Sequence, residues 1–383
     1  MKINMKLLGI SALALAICGC GDGSSAQKAD KAPADSASQA VAADKYTALK
    51  IAEGAILAIG FDQRQIDKIQ TAVVGEEKSK ELTKQAWDSM PEELVDVIKA
   101  AGLDNARARW GAVSVGEPAL NEDMDIKEVP EVAAAISIDI DIEKAVAAIR
   151  EQMKKDKDET QLVDATVAGV KAWKVVDKEG ELAKMKAEPC FTALDGKLFL
   201  VASNLAALEK QIKLYRDGAG SSAAFANFAL ANGDLVRLSL KDIGARVKKV
   251  VPKPEETLKM LNMFVPDGDK MVLGLKALDF AATATADNGV ALKFSLSAAS
   301  EKDADQLRTL AKTGLMPLTA QLKEAAKEDA DAKKNLALVE GLKIAGPEGT
   351  FEASLVIPAV ILKEYAQEAV AKAEKDMAKE PKK

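Results

Sequence analysis

Between Ile136 and Ile142 the chain reads Ile-Ser-Ile-Asp-Ile-Asp-Ile, a strict two-residue alternation, and it runs directly into the helical spacing of Ala145, Val146, Ile149 and Met153. Successive side chains of a strand point to opposite faces, so such a run turns one face to a core and the other to water. A change of period from 2 to about 3.6 within a few residues predicts a strand feeding an amphipathic helix. Parallel βαβ strands, buried on both faces, are expected to be apolar throughout. This run is not, and that points to antiparallel sheet.

The pattern recurs. Ala55–Phe61 is nearly all apolar, and Asp62 then precedes Gln63–Val73, where Ile66, Ile69 and Val73 share a face. Leu198–Ala202 is followed by Ser203-Asn204 and a helix carrying Leu205, Leu208, Ile212 and Tyr215. Val236, Leu238 and Leu240 alternate with Arg237 and Ser239 ahead of Ile243–Val251. Three hairpins announce themselves by their turns. Asp195-Gly196 joins Phe191–Leu194 to Lys197–Ala202, Asp287-Asn288-Gly289 joins Ala281–Ala286 to Val290–Ser297, and Gly346-Pro347-Glu348-Gly349 joins Leu342–Ala345 to Thr350–Ile357. Gly and Asn supply the positive φ that tight hairpins need. Each hairpin leads into a helix: Leu205–Arg216, Glu301–Lys312, and Ala359 onward, where Pro358 suits a helix start.

These units define an α+β class, with mainly antiparallel sheets and amphipathic helices packed on one face. Strand–helix followed by hairpin–helix occurs at 135–216 and again at 235–312, which implies two related halves. The expected organisation is a first α+β half at 45–216, a Gly/Ala/Ser/Asn linker at 217–234 and a second half at 235–383. The order resembles that of uncharacterised duplicated α+β bacterial envelope proteins, on Asp195-Gly196, Leu198–Ser203, Ser222–Phe225 and Leu235–Leu240. That resemblance implies no activity.

The N-terminus carries an address. Lys2 and Lys6 precede an apolar stretch from Leu7 to Ile17, too short for a membrane span of about 20 residues. Ile17-Cys18-Gly19-Cys20 then resembles the bacterial lipobox, with an aliphatic residue at −3, a small residue at −1 and the cysteine at +1. The resemblance implies that residues 1–19 are a lipoprotein signal peptide cut between Gly19 and Cys20, and that Cys20 carries a diacylglycerol thioether and an acylated amine. Cys18 is a poorer candidate, because Ile17 would then stand at −1. The body is expected in the cell envelope, facing the periplasm and held on a membrane by lipid on Cys20. Gly21, where that family's inner-membrane retention signal has Asp, tilts the expectation toward the outer membrane. Residues 20–44, almost without large apolar side chains, read as a flexible tether. Its 24 residues beyond the cysteine span roughly 25–30 Å.

Composition narrows the chemistry. Among 383 residues there is no histidine, so His-dependent triads and His-ligated metals are excluded. With 53 Lys+Arg against 59 Asp+Glu the net charge is −6, and it becomes −8 once Lys2 and Lys6 leave with the signal. That argues against nucleic acid as a partner. Removing Cys18 and lipidating Cys20 leaves Cys190 without a disulfide partner. It sits in the apolar strand Cys190-Phe191-Thr192-Ala193, where a buried, inert thiol is expected.

No phosphate loop, GxSxG elbow, CxxC pair or HExxH occurs. Gly218-Ala219-Gly220-Ser221-Ser222 lacks the lysine of a P-loop and reads as linker. Asn121, Asp123 and Asp125 alternate as calcium ligands do, but Ile126 and Val132 fail the EF-hand pattern. Asp139 and Asp141 fall on the polar side of their strand, and Asp267 and Asp269 flank Gly268 in a turn. Trp87, Trp110 and Trp173 read as core. Residues 320–334 read as a solvated mixed-charge helix, and the lysines of 372–383 as a helix end. No catalytic residue, metal ligand or cofactor is assigned. The expected role is non-enzymatic binding or scaffolding, with protein partner or apolar ligand open. The first alternative is a carrier holding an apolar or lipid ligand between sheet and helices, with Met271–Ala286 as a long apolar strand. A carboxylate-based hydrolase comes last.

Overall fold

The computed structural model describes residues 46–377, apart from 47–48, 89, 105, 121–125, 156–159, 178–181, 183–186, 252 and 264. The expected signal peptide with Gly19 and Cys20, the expected tether, and Asn121, Asp123 and Asp125 therefore lie outside the described residues. The chain forms two compact units. One gathers Glu76–Asn121 and Ile126–Ala229 with the residues up to Ala55, and the other joins Ile56–Gly75 to Leu230–Lys383.

The chain enters through β1 (Ala55–Asp62) and α1 (Gln63–Val74). Asp62 caps α1 as its pattern implies, accepting hydrogen bonds from the amides of Arg64 and Gln65. Local sequence assigns this pair to the first half, but contacts group it with the second. β1 pairs antiparallel with a strand some 180 residues later, Leu57 opposite Leu240 and Phe61 opposite Val236. The domain boundary read at 217–234 therefore omits 56–75.

The first unit contains α2 (Glu76–Asp88), α3 (Glu92–Ala100), β2 (Trp110–Gly116), the small hairpin of β3 (Ala119–Leu120) and β4 (Ile126–Glu128), and β5 (Val132–Ser137). It continues through α4 (Ile142–Lys155), β6 (Gln161–Val167), β7 (Val170–Val176), β8 (Cys190–Leu194), β9 (Leu198–Ala202) and α5 (Leu205–Asp217). Six strands lie in the order β2-β5-β9-β8-β7-β6, antiparallel throughout. From β5 the chain passes through α4 to the edge strand β6 and meanders back to β9 beside β5. Ile136, Ile138, Ile140, Ala145 and Val146 meet Trp173, Phe191, Phe199 and Ile98 in one core. On the other side of β9, Leu198 and Leu200 are buried, and α5 packs on β5, β8 and β9 with Leu208, Ile212 and Tyr215 buried. The α+β class is as read, and a second covered face explains why Cys190–Leu194 and Leu198–Ala202 are apolar without alternation.

The second unit continues with β10 (Asp234–Lys241), α6 (Ile243–Val250), α7 (Pro254–Thr257), a 3-10 stretch Leu258–Met263 and α8 (Gly268–Leu273). Then follow β11 (Ala277–Ala284), β12 (Val290–Ser297), α9 (Glu301–Ala325), α10 (Ala330–Gly341), β13 (Lys343–Ala345), β14 (Thr350–Ile357) and α11 (Ala359–Met377). Strands run β1-β10-β11-β12-β14-β13, again antiparallel. Here β10 passes to its neighbour β11, so the two units use the same pieces with different wiring.

Two readings are corrected. Met271–Ala286 is not one strand: Met271–Leu273 closes α8, Gly274 ends it, and β11 starts at Ala277. The segment 217–234 is no loose linker. Gly218 at φ 72° caps α5, Ser221 bridges to Ala52, the Ser222 amide donates to the Ile51 carbonyl at 2.9 Å, and Phe225 is buried.

Candidate functional site

Of the described acids singled out in the sequence, Asp139, Asp141 and Asp267 have polar partners, whereas one buried oxygen of Asp269 has no hydrogen-bond partner among the described residues. Asp139 is exposed and paired with Arg109 at 3.1 Å and Lys197 at 3.8 Å. Asp141 accepts from the Lys144 amide at the start of α4. Asp267 takes the left-handed φ of 57° before α8, and the Lys270 and Lys302 ammoniums hold its carboxyl below the usual carboxylate range. Among the described residues, no group of three or more Cys, Asp or Glu side chains is placed to hold a metal ion.

The tryptophans are structural. Trp110 donates its indole N–H to the Tyr46 carbonyl at 2.9 Å and stacks on Tyr215, while Trp173 stacks on Phe191. Trp87 packs against the core of the first unit. Cys190 is wholly buried, and its thiol is pushed up to about 12, chiefly by desolvation and then by nearby Glu188. A thiol so held is no nucleophile at neutral pH.

Within the second unit, α9, α10 and β13 border an open, shallow groove of about 480 Å³. That is the size range of small-molecule sites. Leu315, Met316, Val339, Leu342 and Ile344 line it, with Lys312, Lys323 and Glu340 at the rim. Lys323 and Glu340 pair at 3.2 Å between α9 and α10. Being exposed, that pair contributes at most about 1 kcal/mol. Among the described residues no carboxylate is within ion-pair distance of Lys312. Pro317 stands inside α9 and lacks the amide that would bond to the Thr313 carbonyl, and the Thr319 hydroxyl donates back to the Leu315 carbonyl at 2.7 Å.

Why this groove stays open is written in the packing. In the first unit β8 and β9 are almost wholly buried, whereas β11, β12 and β14 are mostly half-buried, and Met316 and Leu318 on α9 are exposed. Sequence reasoning missed the groove because 320–334 reads as one solvated helix. In fact α9 ends at Ala325 and α10 begins at Ala330, with Asp329 accepting from the Asp331 amide. The signal was present: Asp329 before Ala330 is an N-cap, and Leu336 and Val339 lie three residues apart.

Chemically the groove offers a mainly apolar lining and the Lys312 ammonium, which has no carboxylate within ion-pair distance among the described residues. Among the described residues no helix is long and apolar enough to cross a membrane. Comparison with known protein families, curated sequences and solved structures finds no match.

Proposed function

We propose that this chain is a lipid-anchored bacterial envelope protein whose folded body binds an apolar ligand, with its groove rather than any catalytic centre as the working part. The observation that carries the binding role is the groove of about 480 Å³ lined by Leu315, Met316, Leu342 and Ile344. The anchoring rests on Ile17-Cys18-Gly19-Cys20 and the apolar stretch before it. Each buried methylene contributes about 0.8 kcal/mol, so two or three acyl chains on Cys20 hold a body of this size stably on a membrane. The groove then works within reach of the lipid surface.

The test uses the full chain expressed with its own signal. Mass spectrometry under native and denaturing conditions is expected to show the acyl mass on the N-terminal cysteine in both, and a further discrete mass only under native conditions. Cys20→Ala is expected to abolish the covalent mass and to let a high-salt wash release the protein from the membrane fraction. Met316→Glu is expected to abolish the non-covalent mass. Retention of Cys20→Ala through a high-salt wash equal to that of the parent sinks the anchor, and a bare native mass in the parent protein sinks the carrier role.

A further inference from the structure

Between β10 and β11 the second unit carries a small knot of helices. α6 lies on α8 so closely that Gly244 faces the Leu273 carbonyl, and Gly268 of α8 in turn faces Leu261 of the 3-10 stretch. The chain turns sharply to make it. Asp242, Lys253 and Asp267 all take positive φ, and these are half of the described non-glycine residues that do so.

The 3-10 stretch Leu258–Met263 has three residues per turn, so positions three apart eclipse and form three stripes. Leu258 and Leu261 are half-buried and form the inner stripe. Lys259 and Asn262 form the second, and Asn262 accepts from the Asp269 amide at 3.1 Å. Met260 and Met263 form the third, 68% and 80% exposed, with Met263 the most exposed large apolar side chain among the described residues. Two methionines three residues apart are thus held out in water beside a tightly packed base.

The charge around it departs from that of the chain. Between β10 and β11, residues 242–276 hold seven basic side chains against five acidic, in a protein that is acidic overall. Lys253 is paired with Glu256, but Lys248 and Lys259 are exposed and no described carboxylate is within ion-pair distance of either. Exposed unbranched apolar side chains in a segment that also carries Lys248 and Lys259 match the boundary of a bilayer. There the thioethers enter the headgroup region and the ammoniums meet lipid phosphates.

We infer that this knot is a membrane-contact surface for anionic lipid, seated on the bilayer through Met260 and Met263 and attracted to it by Lys248 and Lys259. The inference goes beyond the binding role proposed above and does not depend on it, or on the lipid at Cys20. It adds an orientation, because an anchor at a single point does not set which face meets the lipid, whereas a second contact does.

The experiment uses the full chain carrying Cys20→Ala, so that no covalent lipid contributes, and flotation with vesicles of phosphatidylglycerol and phosphatidylcholine in equal parts. The parent is expected to float with these vesicles, poorly with phosphatidylcholine alone, and less in high salt. Lys248→Glu with Lys259→Glu, and separately Met260→Ser with Met263→Ser, are each expected to weaken flotation by about tenfold or more. The substituted side chains are all exposed, and unchanged circular dichroism confirms that the fold is kept. Lys312→Glu with Met316→Ser, at the groove, is expected to leave flotation unchanged. The N-terminal apolar stretch is common to every variant, so only a difference between variants reports on the knot. A parent that does not float, equal flotation of parent and knot variants, or a loss confined to the groove variant would each overturn the inference.

Discussion

Gly244 offers the sharpest test of the packing on which the knot depends. A Cβ at this position would lie 2.1 Å from the Leu273 carbonyl oxygen, 2.5 Å from its carbon and 3.2 Å from the Gly274 nitrogen. All three are backbone atoms, so no side chain can swing away. To reach even 3.0 Å the carbonyl must retreat by about 0.9 Å, and with it the amide of Gly274, which already donates to the Lys270 carbonyl at 2.9 Å. The same shift stretches the 2.7 Å bond from the Gly244 amide to the Leu275 carbonyl. Overpacking costs about 1–3 kcal/mol. A weakened buried hydrogen bond adds about 1 kcal/mol, and the better helix propensity of alanine returns up to about 1 kcal/mol. Strain wins, and Gly244→Ala is expected to destabilise the second unit by about 2–3 kcal/mol. Gly314→Ala provides the opposite sign. That glycine lies inside α9 with nothing within 4 Å of its Cβ position, so the substitution is expected to stabilise by about 0.5–1 kcal/mol. Trp87, Trp110 and Trp173 all sit in the first unit, which leaves tryptophan fluorescence blind to this change. Urea unfolding by far-ultraviolet circular dichroism, with hydrogen exchange of peptides spanning 243–276, is the appropriate assay. A loss below about 1 kcal/mol for Gly244→Ala, or any loss for Gly314→Ala, would refute the steric argument.

Two further outcomes follow from burial. Leu208→Ala removes a fully buried side chain of α5 and is expected to cost about 2–5 kcal/mol, whereas Leu310→Ala, at a side chain 43% exposed, is expected to stay within about 0.5 kcal/mol. Equal effects in urea titrations would contradict the assigned burial. Cys190 carries a pH dependence: its thiol ionises near 9 in an unfolded chain but at about 12 in the fold, so the unfolded state releases its proton first. Its contribution to stability is therefore complete below about pH 9 and is lost as pH rises toward 12. Buried Tyr215, pushed up by desolvation, acts in the same direction. In a chain carrying Cys18→Ala and Cys20→Ala, Cys190 is expected to resist a thiol reagent at pH 8 until urea unfolds the protein. Rapid labelling of the native chain would overturn the burial.

What could be read from residues in order were features settled by neighbours in order. Asp195 and Gly196, at φ 53° and 64°, form the turn their dipeptide announces, and Asn288 at φ 63° does the same between β11 and β12. Asp62, Asn204 and Ser300 cap the helices they precede, because a side-chain oxygen reaches only the amides two or three residues on. The hairpin of β6 and β7 went unread although Ala168 and Gly169 turn it with φ of 49° and 76°, since alanine is not a turn residue by propensity. Met271–Leu273 was misread because a short apolar run looks alike in a strand and a helix, and only Gly274 and the contact with α6 decide it.

By itself, then, the sequence determined the antiparallel α+β character, the position of most strands and turns, and the absence of imidazole chemistry. Each depends on dihedral preference, spacing of two to four residues, or composition. Tertiary structure alone decided that β1 and α1 join a unit whose remaining residues begin at Leu230, that β8 and β9 are covered on both faces, that α9 and α10 part to leave a groove, and that Met260 and Met263 stand in water. Those outcomes depend on contacts between residues far apart in sequence. The free energy of such contacts comes from apolar area removed from water, and local pattern does not say which distant surface removes it.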